Sequence, residues 1–238
     1  MKIGILTFHE GINHGGFFQA YSLLMAVKSL GHDAEIINYK NKIHYEKEKK
    51  AFLGVRVLIR RPWRYVSNFK KIKNFRRAQK SQMILSPKKV ALQKEKLTKQ
   101  YDIIIIGSDI VWNYQWDFLG NDPIYFGHGL NTDKLVAYAP SIGTIDTEIL
   151  PEYVITGIPK IKSIGVRDEK TALLVKKILG NKPAIVLDPT FLFLPFGKEE
   201  DIKYKDYLLI YGNEFNQIQI QKIRAFSIAN CLKIISIG

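Results

Sequence analysis

The chain has 238 residues, enough to bury a substantial core in one large domain or two small ones, and its composition is that of an ordinary soluble globular protein. A single cysteine, Cys231, excludes an internal disulfide framework and any multi-cysteine metal site, and fits a reducing cytoplasm. The net charge of +14 is unevenly placed: residues 40–100 hold 20 Lys and Arg against 3 Asp and Glu, a local balance of +17 that leaves −3 for the rest.

Residues 1–8 (MKIGILTF) carry one charge and too short an apolar run for a signal peptide. No stretch approaches the length of a membrane span, so a cytoplasmic protein is expected. Residues 2–7 read as a buried strand. Residues 8–16 form a loop rich in glycine, with His9, Asn13 and His14. A helix follows with Ala20, Leu23, Leu24, Val27 and Leu30 on one face, ended by Gly31. Residues 34–38 make the next strand and complete a βαβ unit. A glycine-rich turn at a helix start is either an ordinary βα connection or a seat for an anion. It matches neither the dinucleotide nor the P-loop fingerprint.

Residues 40–100 form a basic insertion in which Phe52, Leu58, Ile59, Trp63 and Phe69 alternate with Arg60, Arg61, Arg64 and Lys70. One or two amphipathic helices broken near Pro62 are expected, with Pro87 marking the exit. They are read as a helical pair packed on the sheet, as a surface for anionic membrane or a lipid-linked substrate, or as a nucleic-acid groove. No recognised nucleic-acid motif is present, and no nucleic-acid partner is expected.

Tyr101 to Asn113 reads YDIIIIGSDIVWN. Its four isoleucines suit a strand buried on both faces of a parallel sheet, stopping at Gly107, Ser108 and Asp109. In such sheets ligands lie beyond the carboxyl ends of the strands. Ser108 and Asp109 either serve a site there or cap a helix, and Trp112 either offers a flat surface or packs. A loop over 114–131 leads to a strand at 136–138 that runs into Ala139, Pro140, Ser141, Ile142 and Gly143. A helix at 149–158 and a strand at 163–167 follow. Asp168 is placed to cap a helix through Leu179, and 184–187 lead to Asp188, Pro189 and Thr190.

The pattern breaks over 193–206, read as a linker, before a strand (207–211), a helix (214–230) and a strand (232–237). The expected layout is a Rossmann-like α/β domain over 1–194, carrying the insertion, and an incomplete beginning of a second Rossmann-like domain over 205–238. Two strands and one helix cannot bury both their faces, so a C-terminal truncation is expected.

These segments resemble the polysaccharide pyruvyl transferases. The family's Asn-Tyr-Gly loop and Leu-Gln-Ala-Tyr helix start stand here as Asn13, His14, Gly15 and then Phe18, Gln19, Ala20, Tyr21. Its Gly-Ser-Asp-Gln-Val-Trp-Asn matches residues 107–113, its Tyr-Ala-x-Ser-x-Gly residues 138–143, its Val-Arg-[Asp/Glu] residues 166–168 and its Asp-Pro-Thr residues 188–190. Two positions depart from the pattern: His14 replaces an aromatic residue and Ile110 a glutamine.

The resemblance implies a glycosyltransferase-B-like fold. It also implies transfer of a pyruvyl ketal group from phosphoenolpyruvate to a sugar of a bacterial surface polysaccharide. The partners would be phosphoenolpyruvate, as donor substrate rather than cofactor, and a glycan acceptor that could be lipid-linked. Asp109 is the candidate base and His14 a candidate acid, and Arg167 is either the clamp for the donor anion or an ion-pair partner of Asp168 or Asp188. Asn13, Gly15, Gln19, Ser108, Trp112, Asn113 and Ser141 are the remaining candidate binding residues. No metal constellation is seen. A nucleotide-sugar glycosyltransferase of the same fold and a non-catalytic anion- or glycan-binding domain are the competing readings.

Overall fold

The computed structural model describes residues 1–83, 85–86, 90–91, 101–119, 121–132, 134–193, 205–212 and 215–237. The chain falls into two compact units, Met1–Leu194 and Pro195–Gly238, and each is described by itself. In chain order the first unit opens with β1 (Lys2–Leu6), α1 (His14–Ser29), β2 (Asp33–Ile36) and β3 (Tyr39–Lys40). Three helices follow, α2 (Lys42–Leu53), α3 (Val55–Arg60) and α4 (Pro62–Gln82), then β4 (Val90–Ala91) and β5 (Ile103–Ile106). It closes with β6 (Leu135–Tyr138), α5 (Glu152–Gly157), β7 (Ser163–Val166), α6 (Glu169–Leu179) and β8 (Ala184–Ile185).

Six strands make one sheet in the order β2-β1-β5-β6-β7-β8, and every pairing is parallel. The isoleucine run explains its centre. Successive side chains of a strand point to opposite faces. Ile105 therefore joins Ile3 and Ile5 under Leu23, Leu24 and Val27 of α1. Ile104 and Ile106 join Leu6 on the other face, with Trp112, Phe126, Val154 of α5 and Leu174 of α6. Each such side chain contributes roughly 1.5–3 kcal/mol on leaving water. Helices thus cover the sheet on both faces, as an all-parallel sheet requires.

Several boundaries differ from the sequence reading. Leu30 is exposed as the C-cap of α1, so that helix's apolar stripe ends at Val27. The expected helix at 149–158 shrinks to α5 followed by a 3-10 turn over Ile158–Lys160, because Pro159 has no N–H to continue the ladder. The loop expected over 114–131 contains two 3-10 turns, Asp117–Leu119 and Pro123–Phe126. The described part of the basic insertion folds as three helices, not one or two. Gly54 makes an additional break, and Pro62 starts α4 where its missing N–H costs nothing. Pro87 and residues 92–100 lie outside the described residues, as does most of the linker at 193–206.

The second unit pairs β9 (Tyr207–Tyr211) with β10 (Lys233–Ile237) in parallel, linked by α7 (Gln217–Ala229). Asn216 and Gln219 cap α7 reciprocally, which sets its start later than position 214.

Candidate active site at the carboxyl edge of the sheet

β1 lies between β2 and β5, so the connections from the central strands leave in opposite directions and open a crevice at the carboxyl ends of β1 and β5. Thr7, one residue beyond β1, spans it: its Oγ1 donates to the Ser108 carbonyl at 3.2 Å. The loop after β1 climbs to Asn13, whose Oδ1 accepts from Gly15 N at 2.8 Å and Gly16 N at 3.3 Å. The first-turn N–H groups expected to hold an external anion are therefore capped from within the chain.

Gly16 faces Asp109 so closely that a Cβ there would lie 3.1 Å from Asp109 Oδ2. The Gly107–Asp109 bend brings the carboxylate to this point. Gly107 adopts φ +117°, and a Cβ would overlap the Tyr138 carbonyl oxygen, so the position demands glycine. Asp109 itself has φ +78°, a left-handed conformation that aspartate tolerates better than most residues. No helix follows, so Ser108 and Asp109 are not helix caps. Asp109 Oδ1 instead accepts from Ile110 N at 2.8 Å, and its carbonyl accepts from Ser141 N at 2.9 Å.

The third and fourth strand ends close the cluster. Ser141 is buried, its Oγ accepting from Gly143 N at 2.9 Å. Arg167 N donates to the Pro140 carbonyl at 3.2 Å, which ties the loops after β6 and β7. Its guanidinium Nη1 lies 3.3 Å from Asp188 Oδ2, the same oxygen that accepts from Gln19 Nε2 of α1. Asp188 Oδ1 caps the following turn through Thr190 N and Oγ1 at 3.0 and 2.7 Å. The loops bearing Asn13, Asp109, Ser141 and Arg167 thus meet on one edge.

Electrostatics divide the three aspartates. Burial pushes the Asp109 carboxyl above its usual range, and neither the Ile110 N–H nor the Arg167 charge offsets it. Burial also pushes Asp188 upward, but hydrogen bonds from Thr190, Gln19 and Arg167 outweigh it and hold the group low. Asp168, the N-cap of α6, is held low in the same way by Ser141, Thr171 and Arg167 against its own desolvation. The edge thus carries one carboxyl with raised proton affinity beside a guanidinium shared between charges, a pairing suited to proton transfer next to a bound anion.

Not every candidate joins this group. Trp112 is fully buried, stacks on Phe126 at 5.7 Å and donates from Nε1 to the Tyr125 carbonyl at 2.7 Å. It is a core residue here, because an indole with its N–H satisfied inside fills more apolar volume than any alternative at that position. Trp116, 48% exposed and stacked on Phe118, faces outward instead. Asn113 caps a turn through Oδ1, accepting from Gln115 N at 3.2 Å and Trp116 N at 2.8 Å. His14 and Gly15 are exposed; the His14 ring meets Phe75 of α4 edge-on at 5.4 Å, and no contact joins it to Asp109, Arg167 or Asp188 among the described residues. Ser108 is fully buried, and its Oγ has no hydrogen-bond partner.

The ion pair of Arg167 with Asp188, the alternative to a donor clamp, is present, and Asp188 also accepts from Gln19. One buried group had no role assigned from the sequence. His9 is buried beside Thr7, with Nδ1 donating to the Thr7 carbonyl at 3.3 Å and burial holding its pKa low. Its one signal was position, in the loop that follows β1. Among the described residues, no three or more His, Cys, Asp or Glu side chains stand together as a metal site.

A six-stranded parallel sheet covered by helices on both faces, with Asp109 and Arg167 gathered at its carboxyl edge, defines an α/β protein of Rossmann-like layout. The polysaccharide pyruvyl transferase family model matches residues 13–237, nearly the whole chain, and the chain belongs to that family. Membership makes it a transferase with a polysaccharide acceptor. No curated protein and no solved structure matches it.

Proposed function

We propose that the protein transfers a pyruvyl group from phosphoenolpyruvate to two hydroxyls of one sugar in a bacterial surface polysaccharide. The methylene carbon of the donor takes a proton and becomes a methyl group. The adjacent carbon, now oxocarbenium-like, accepts one sugar oxygen as that hydroxyl loses its proton. Phosphate departs with the C–O bond electrons, and the second hydroxyl adds with loss of its proton to close the ketal. Asp109 serves as proton acceptor for a sugar hydroxyl, and Arg167 holds the donor's carboxylate or phosphate with paired N–H donors. The supporting observation is the raised proton affinity of Asp109 within the charge field of Arg167 at the switch point. The β9–α7–β10 unit is read as belonging to a second Rossmann-like domain on a glycosyltransferase-B-like plan.

Incubation of the full chain with phosphoenolpyruvate and surface glycans, following inorganic phosphate and a glycan mass gain, tests the reading. Glycan-dependent phosphate release is expected. Turnover of a nucleotide sugar with no phosphate released from phosphoenolpyruvate would refute it.

A further inference from the structure

Helices α3 and α4 are unlike the rest of the first unit. Residues 51–82 hold ten Lys and Arg and no Asp or Glu. Helix α3 buries none of its side chains, and α4 buries only Phe75 and Gln79. Where the two helices join, Ile59 is 74% and Trp63 71% exposed, and Val55, Val66 and Phe69 are exposed as well. Trp63, Val66 and Phe69 recur at i, i+3 and i+6, which places them on one side of the first two turns of α4. Arg56, Arg60, Arg61 and Arg64 are all exposed, and none has an ion-pair partner among the described residues. Between α2 and this pair lies a groove of about 1160 Å³, lined by Phe52, Val57, Arg60 and Arg64 among others.

We propose that the joined ends of α3 and α4 are a docking surface for an anionic lipid bilayer. Ile59, Trp63 and Phe69 enter the headgroup and upper acyl region, while the four arginines meet lipid phosphates. Bulky aliphatic and indole side chains at the apex, ringed by cations, are the composition that lies in a bilayer interface. No helix among the described residues is long and apolar enough to cross a membrane, so the contact is peripheral. Nucleic acid fits less well, because Val55 and Ile59 would be pressed against phosphates. A second copy fits less well too, because two surfaces of the same sign repel. The inference is independent of the reaction assigned above, since binding is measured without turnover.

The test is co-sedimentation of the full chain with vesicles of phosphatidylglycerol and phosphatidylcholine, against pure phosphatidylcholine. Binding to the anionic vesicles is expected, with a loss of tenfold or more in 0.5 M salt (an order-of-magnitude estimate from screening). The double variant I59E/W63E should lose a similar factor at low salt while keeping its near-UV spectrum. Should that variant misfold, brominated lipid supplies the second measurement. It should quench the emission of the wild-type chain more than that of W63F, since only Trp63 lies at the apex. Failure to bind anionic vesicles, or equal quenching of wild type and W63F, would overturn the proposal. Binding that survives I59E/W63E in a folded protein, or a dimer that shields Trp63 from lipid, would overturn it equally.

Discussion

Replacing Arg167 by glutamine removes the positive charge from between Asp109 and Asp188 while keeping most of the side-chain length. The Arg167–Asp188 pair is largely shielded, with side chains 26% and 19% exposed, but its 3.3 Å separation is long for a charged hydrogen bond. Gln19 and Thr190 continue to serve Asp188 in the variant. A loss just below the usual range for charge-assisted bonds follows, about 1 kcal/mol. For a unit of this size that lowers Tm by about 2–4 °C. Function should suffer far more, because a lost donor to a developing anion typically costs about 10²–10³ in rate. Asp109 also loses the neighbour that favours its ionised form, so the acid limb of the pH–rate profile moves to higher pH. The assay is phosphate release from phosphoenolpyruvate in the presence of glycan, across pH, beside a thermal melt. A variant that melts a few degrees lower yet keeps its rate and its acid limb would show Arg167 to be a structural ion pair, and the donor assignment would fall.

Asp109→Asn should stabilise the protein at pH 7 while abolishing transfer. A carboxyl whose folded pKa is raised costs stability above that pKa, and the cost disappears below the unfolded value, so the advantage of Asn should fade in acid. Urea midpoints at pH 7 and below pH 4 check this, and a variant weaker than wild type at pH 7 would contradict it. Asp168 and Asp188 have the opposite sign: their contribution is present above the ordinary carboxylate pKa and is lost as pH falls through their depressed folded values, which predicts acid unfolding that steepens below about pH 4. Gly107→Ala forces a side chain into a positive-φ bend against the Tyr138 carbonyl and should cost about 2–4 kcal/mol in chemical denaturation. Trp112→Leu should cost about 3 kcal/mol as a core truncation, whereas Trp116→Leu should change stability by less than about 1 kcal/mol.

The isoleucine run, the helix stripe of α1 and the Asp168 cap were all readable because each is a local pattern with one structural answer. The small and polar residues at the strand ends pointed to the edge where the loops meet, since a parallel sheet collects those ends on one side. Side-chain partnership was less legible. An amide such as Asn13 serves equally to hold an anion or to cap its own helix, and the cap is the shorter reach. Trp112 and Trp116 are four positions apart, and only the placement of the 3-10 turns decides which faces inward. Gln19 and Asp188 lie 169 residues apart, so no local pattern could pair them. The insertion was visible as a charge anomaly, but its break at Gly54 was not, because glycine alone does not end a helix.

That distant amide–carboxylate link has a consequence for any shortened form of the protein. Gln19 is almost entirely shielded from water within the first helix, and its donor is met by a residue beyond the last strand of the sheet. A fragment ending before position 188 would retain every strand of the six-stranded sheet yet leave that amide without its acceptor. A fragment built on this sheet is therefore better ended past its last strand, beyond the turn that Asp188 begins.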